Sequence, residues 1–252
     1  MESDEFRVLA VCTGNLNRSA LAAALLRRWA DWYLPADVAA RVVVTSAGLA
    51  APVGQPMRSR TRVIAERLGA EGRTHRATQV DEATIRAADL VLGADVAHRD
   101  GVLGMVPSML RSAYTIREAG GIAAALGPAA PPASIDELRA RAAAFAERRA
   151  LGLDADGDIT DPQGRGDDAY RAMAREEVPP LASLAATLFG MPRAEVVAVV
   201  DAARAPDAFS FDGVGRSGSG GSASGRAGSG DAGTSASSPE RPRRRWFGRR
   251  DS

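Results

Sequence analysis

The stretch Val11-Cys12-Thr13-Gly14-Asn15-Leu16-Asn17-Arg18-Ser19 constrains this chain more than any other. An apolar run, Phe6-Arg7-Val8-Leu9-Ala10-Val11, leads into it, and an Ala/Leu-rich run from Ala20 to Trp29 leads out. That order reads as strand, tight loop, helix. A loop so placed has backbone N–H groups without partners of their own and lies on the positive end of a helix dipole, which prepares it to hold an oxyanion. Gly14 is expected to supply the positive φ of such a curl, and Asn15 is among the few other residues that tolerate it. Arg18 would grip two phosphate oxygens through its planar fork. The same field favours the thiolate, the nucleophilic form of cysteine, at Cys12. Thr13, Gly14, Asn15, Leu16, Asn17 and Arg18 therefore form a candidate phosphate cradle with Cys12 at its base. The plain alternative is a buried cysteine in a turn that happens to precede Arg18.

With 252 residues, 45% of them hydrophobic, the chain is long enough to bury one substantial core. A formal net charge of +1 gives no argument for nucleic acid or a membrane as the main partner. The single cysteine excludes an intrachain disulfide and a multi-cysteine metal site, and no metal or cofactor is expected. Met1-Glu2-Ser3-Asp4-Glu5 is acidic and lacks a signal-peptide core, and no later run is long enough to cross a bilayer. A cytoplasmic protein is expected.

Further along, Ala40 to Thr45 is β-branched and reads as a second strand, ending in Ser46-Ala47-Gly48. Gly54-Gln55-Pro56 leads to a helix at Ser59–Leu68. Asp89–Gly93 reads as a third strand and Ala113–Ile116 as a fourth. Strands separated by helical stretches predict an α/β fold: a four-stranded parallel sheet with helices on both faces and the phosphate loop after the first strand. In such sheets ligands bind beyond the carboxyl ends of the strands, where the cradle falls. Ile135–Leu151 reads as a helix, Asp168–Met173 and Leu181–Phe189 as two helices parted by Pro179-Pro180, and Ala194–Arg204 as the last. Asp154–Asp158 reads as a solvated acidic loop, and His98 as an ordinary residue in a polar stretch. A folded domain is expected over 1–205. Residues 206–252 are expected to be a disordered Gly/Ser-rich tail ending in Arg241-Pro242-Arg243-Arg244-Arg245-Trp246-Phe247-Gly248-Arg249-Arg250. That cluster could make a weak contact with an acidic membrane surface or partner, or be only a solubilising end.

The longer pattern Val-Cys-x-Gly-Asn-x-x-Arg-Ser, read with the strand before it and the helix after it, resembles the low-molecular-weight protein tyrosine phosphatases of bacterial type. Ser46-Ala47-Gly48, Gly54-x-Pro56, Tyr114-Thr115-Ile116-Arg117-Glu118 and Asp161-Pro162 before a helix carrying Tyr170 extend the resemblance over about Arg7 to Tyr170. It implies a protein phosphatase acting on phosphorylated protein, phosphotyrosine above all. Cys12 would attack phosphorus while Asp161 protonates the leaving oxygen, and the ionised Asp161 would then take a proton from the water that attacks the phosphocysteine. Ser19 would donate to the thiolate and ease its departure. His75, Ser46 and Asn15 would form a network supporting the loop. Seen alone, Asp-Pro is a common turn opener and a histidine such as His75 is often only solvated.

The chain departs from the family in three places. Asn17 stands where most members have a second cysteine, which removes a protective disulfide but not the attack. Ala20 replaces the usual proline. Leu49-Ala50 and Gln163-Gly164 stand where eukaryotic members have aromatic walls, leaving Leu16 as an apolar floor and Tyr33 or Tyr114 as candidate aromatic contributors. Members acting on phosphoarginine carry a small threonine at the position of Leu16, and arsenate reductases of this fold need further cysteines. The alternative from another class is a non-catalytic phosphate-binding or scaffold protein that keeps the cradle, although binding alone needs neither thiolate nor acid.

Overall fold

The computed structural model describes residues 4–149 and 158–212. Its sheet is built from β1 (Phe6–Cys12), β2 (Val42–Gly48), β3 (Leu90–Gly93) and β4 (Ala113–Thr115), all parallel, in the order β2-β1-β3-β4. The expected four-stranded parallel architecture is the one observed. β1 is apolar nearly throughout because its sheet is covered on both sides. Leu9 and Val11 join Ala47, Val91, Ala113, Ile85 and Val102 in one buried cluster, while Val8 and Ala10 point the opposite way. The register pairs Cys12 with Gly48, Val11 with Gly93 and Gly93 with Thr115. All four carboxyl ends therefore finish at one edge, and the loop after Cys12 opens there.

Helix α1 (Arg18–Tyr33) packs on β1 and β2, and α2 (Ala36–Ala39), α3 (Ser59–Arg67) and α4 (Glu82–Arg86) follow. Among the helices that go beyond the sequence expectation are the two that follow β3 and β4. One is α5 (Val96–Met105), whose first turn is capped by the Asp95 side chain accepting from the His98 N–H. The other is α6 (Ile116–Leu126), which opens on a capping box between Thr115 and Glu118, so the fourth strand stops one residue short of the expected Ile116. Helix α7 (Ile135–Glu147) ends before the expected Leu151. Residues 150–157, and with them most of the acidic loop, lie outside the described residues.

The two helices expected around Pro179-Pro180 are one, α8 (Asp167–Leu188). Two prolines remove two helical N–H donors, and tertiary packing outweighs that loss. α6 lies so close that a Cβ on Gly120 would overlap the Pro180 ring, which only glycine avoids. α9 (Arg193–Arg204) closes the helical part. The packed chain then runs past the expected boundary at 205, because Phe209 and Phe211 are buried. Phe211 meets Tyr170 edge-on at 6.1 Å and lies under the Arg171 guanidinium. The Arg241–Arg250 cluster lies outside the described residues. No helix among those described is long and apolar enough to cross a membrane.

Candidate active site

β1 ends on Cys12 and α1 begins on Arg18, so the residues between them form the turn whose amides no helix partner satisfies. Asn17 at the helix start makes no side-chain cap. The positive φ falls on Asn15 (52°) and not on Gly14 as expected. Asn15 holds that conformation because its side chain is tied on both sides: Oδ1 accepts the Thr78 N–H at 2.9 Å, and Nδ2 donates to Ser19 Oγ at 2.9 Å. Its own N–H donates to Cys12 Sγ at 3.2 Å. Ser19 Oγ lies 3.0 Å from the same sulfur and 3.3 Å from the Ala47 carbonyl. The Asn15 N–H and the Ser19 hydroxyl thus converge on a sulfur that is almost fully buried.

His75 Nε2 lies 2.7 Å from the Asn15 carbonyl oxygen, which can only accept, so Nε2 carries a hydrogen. Burial pushes His75 below the ordinary imidazole range; the Asn15 carbonyl opposes this, and Arg27 and Arg76 add to it. Ser46 is not in the network. Its side chain makes no hydrogen bond among the described residues, and the Thr78 N–H fills the place expected for it. The reason is positional. Ser46 pairs with Ala10, a step back along β2, whereas the residue that touches the loop is Gly48. A Cβ on Gly48 would lie 2.5 Å from the Thr13 carbonyl and 3.0 Å from the Asn15 nitrogen. Leu49 and Ala50 extend this contact by donating to the Cys12 and Thr13 carbonyls at 2.9 and 2.8 Å.

Arg18 is 4% exposed and meets two carboxylates. Nη2 donates to Asp161 Oδ2 at 2.8 Å, while Nη1 reaches Asp95 Oδ2 at 3.2 Å and the Ile159 carbonyl at 3.3 Å. Asp161, 143 residues away in sequence, is thus brought to the cradle, with its other oxygen accepting the Gln163 N–H. Gln163 Oε1 spans the mouth and accepts from Asn17 Nδ2 (3.3 Å) and Arg58 Nε (3.4 Å). Asn17 Oδ1 accepts from Thr61 at 2.7 Å. In the place of the family's second cysteine, Asn17 ties the loop to α3 and to the Asp161 segment. Leu16 is buried, and its side chain and the Pro52 ring both lie close to Gly14. Tyr33 and Tyr114 do not contribute to the mouth: both are buried, Tyr114 with its hydroxyl on the Arg111 carbonyl, and Leu49 leans onto Gly101 of α5.

Three residues of this region escape a reading of the sequence. His98 is 4% exposed, with Nε2 2.8 Å from Thr13 Oγ1 and Nδ1 2.6 Å from Asp95 Oδ1, the latter at ion-pair distance but off the line of a hydrogen bond. Asp95 links it to Arg18. The available signal is Asp-x-x-His directly after the third strand, at the sheet edge where the cradle also lies. Glu177 on α8 is the third. It is fully buried, neither carboxylate oxygen makes a hydrogen bond, and burial pushes it well above the ordinary carboxylate range despite the pull of Arg18 and the Ala22 amide. No sequence pattern marks it.

A parallel α/β sheet with a cysteine-based anion loop at its carboxyl edge, an arginine heading the next helix and an aspartate reaching back to that arginine defines a class of phosphatase-like domain. The family model of low molecular weight phosphotyrosine protein phosphatase matches residues 7–124. A probable low molecular weight protein-tyrosine-phosphatase, EpsP, of Ralstonia nicotianae is 32% identical over 111 residues, covering 44% of this chain and 70% of the relative. A protein-arginine-phosphatase of Geobacillus stearothermophilus is 29% identical over 173 residues, 69% of this chain and 88% of the relative. The solved YwlE arginine phosphatase from Geobacillus stearothermophilus is 27% identical with a TM-score of 0.51, covering 71% of this chain and 90% of that one. The chain belongs to the low molecular weight protein-tyrosine-phosphatase family, whose members here include tyrosine and arginine phosphatases.

Proposed function

We propose that the protein is a phosphomonoester hydrolase, a protein-tyrosine phosphatase acting through a phosphocysteine on Cys12 with Asp161 as general acid and base. The observation that carries this reading is the meeting of Cys12, Arg18 and Asp161 at one edge of the sheet, with the 2.8 Å contact between Arg18 and Asp161 closing it. A phosphate dianion in the cradle competes with Asp161 for Nη2, which frees the carboxyl beside the leaving oxygen. Ser19 and the Asn15 N–H stabilise the sulfur as nucleophile and again as leaving group. Asp95 and the Ile159 carbonyl hold the other arm of Arg18 from behind, so the fork keeps its direction. Asn15, with His75, maintains the loop curvature. Phosphotyrosine is favoured by the bulky apolar Leu16 in the cradle, where phosphoarginine-specific relatives carry threonine.

Hydrolysis of a small aryl phosphate by the wild type and by Cys12→Ser tests the enzyme reading. Turnover should be lost in the variant, and equal low rates in both would leave only the binding-protein alternative. Asp161→Ala should slow poor leaving groups more than good ones, by about 10²–10⁴-fold for the poorest. A second substrate reading has its own support in the similarity to a protein-arginine-phosphatase. A peptide panel of phosphotyrosine, phosphoarginine and phosphoserine separates the two, with phosphotyrosine expected to be hydrolysed fastest.

A further inference from the structure

The cradle has an ionisable neighbour that the reaction does not use. His98 is buried, and its two nitrogens are committed to different partners. Nδ1 lies 2.6 Å from Asp95 Oδ1, off the line of a hydrogen bond, but at that distance an Nδ1 lone pair would face a carboxylate oxygen; the neutral ring therefore keeps its hydrogen on Nδ1 and leaves Nε2 as an acceptor. The partner of Nε2 at 2.8 Å is the hydroxyl of Thr13, the residue directly after the nucleophile, and Thr13 is exposed. With His98 neutral, Thr13 must donate its hydrogen to Nε2 and can present only lone pairs to anything entering the loop. With a proton added from solvent at Nε2, the ring donates instead. Thr13 then accepts from it, and its O–H rotates free to donate elsewhere. No heavy-atom bond changes.

We propose that His98 acts through Thr13 as a positioning residue that couples the binding of a tetrahedral dianion in the loop to the uptake of a proton. The inference rests on reading residues 12–18 as an anion cradle. A dianion meets lone pairs on Thr13 in one protonation state of His98, and a hydroxyl donor backed by an imidazolium in the other, so it prefers the second. The groups facing His98 leave room for this change. Asp95 from the start of its own helix favours the charged ring, Asp158 and Asp161 from the segment before α8 do the same, and Arg18 of α1 opposes it. Burial is the largest influence and pushes the ring toward its neutral form. An arriving dianion that draws Arg18 toward itself weakens the opposing charge.

The chain has two histidines, His75 and His98, so the imidazole signals of the ¹³C-labelled protein are few and can be assigned with His75→Gln. The experiment follows both ring titrations by NMR with and without saturating sulfate, a dianion that does not itself titrate near neutral pH. Loop amide shifts report sulfate occupancy. The His98 midpoint should rise on binding, and sulfate should bind at least about fivefold more tightly below that titration than above it, since such coupling is reciprocal. Thr13→Val should lose more than half of the shift, Thr13→Ser should restore it, and His75 should move little in any of them. A His98 midpoint that stays put with sulfate bound overturns the proposal. An undiminished shift in Thr13→Val, which would mean the anion acts on the ring through space alone, overturns it too. Failure of sulfate to bind at any pH overturns the cradle reading, and this inference with it.

Discussion

Glu177 offers a test of the packing behind the cradle in which the sign of the effect decides between two pictures. It sits on α8 where that helix packs on α1, with no exposure and no hydrogen bond to either carboxylate oxygen. An ionised carboxylate there would have Arg18 as its partner, a buried pair whose loss would be costly. Burial outweighs that attraction and pushes Glu177 well above its ordinary value of 4.5, with Glu176 adding to the push and Arg18 and the Ala22 amide opposing it. The folded protein therefore keeps the proton over a pH range in which the unfolded chain has already released it. Across that range the folded state binds more protons than the unfolded state, and stability falls as pH rises. The slope is about 1.4 kcal/mol per pH unit. Each pH unit of that range is a sizeable part of the roughly 5–15 kcal/mol typical of a domain. Glu177→Gln keeps the shape and removes the titration. Urea unfolding of both proteins from about pH 5 to about pH 8 should show the variant gaining on the wild type as pH rises, with the m-value unchanged. Comparing the two cancels every other titrating group. Parallel profiles would refute the reasoning. A variant that instead gains on the wild type as pH falls would show that Glu177 is ionised against Arg18.

Gly48→Ala should cost about 1–3 kcal/mol by overpacking and lower aryl-phosphate turnover further than thermal unfolding accounts for, because the added methyl group meets the Thr13 carbonyl and the Asn15 nitrogen; turnover measured well below the unfolding temperature checks this. Burial holds His75 below its unfolded value of 6.5, so the unfolded chain binds the extra proton in that window and stability is lost as pH falls through it. His75→Gln should flatten this acid limb in denaturant titrations between about pH 5 and about pH 7. Phe211→Ala should cost about 3 kcal/mol, the low end for a buried phenylalanine, and ending the chain after Ala205 should cost at least as much; calorimetry of both checks where the packed chain stops.

Whatever depends on neighbours in the chain is legible in the sequence. Cys12, Arg18 and Ser19 sit at fixed offsets across a strand–loop–helix junction, and that junction brings Ser19 Oγ within 3.0 Å of the sulfur. Asp161 is legible for a different reason: the Asp-Pro pair carries a resemblance, and the structure then shows what holds it, the free arm of Arg18. Thr115-x-x-Glu118 has the spacing of a capping box, yet β-branched residues dominate the local pattern and make it look like the end of a strand. The misses share a cause. Asp95 and His98 matter because β3 lies beside β1 in the sheet, which puts the turn after Gly93 next to the turn after Cys12. Sequence order separates the two turns, and only the crossover topology joins them. Pro179-Pro180 reads as a break by local rules, and it is carried inside a helix because Gly120 lets α6 press against it. Ser46 fails in the opposite sense. The tripeptide containing it is recognisable, but the contact with the loop is made by the glycine at its end, where a missing side chain is the functional requirement. In this fold, then, Cys12 and Arg18 are specified locally. The groups that orient them, Asp95, His98, Gly48 and Thr78, are specified by which strands become neighbours.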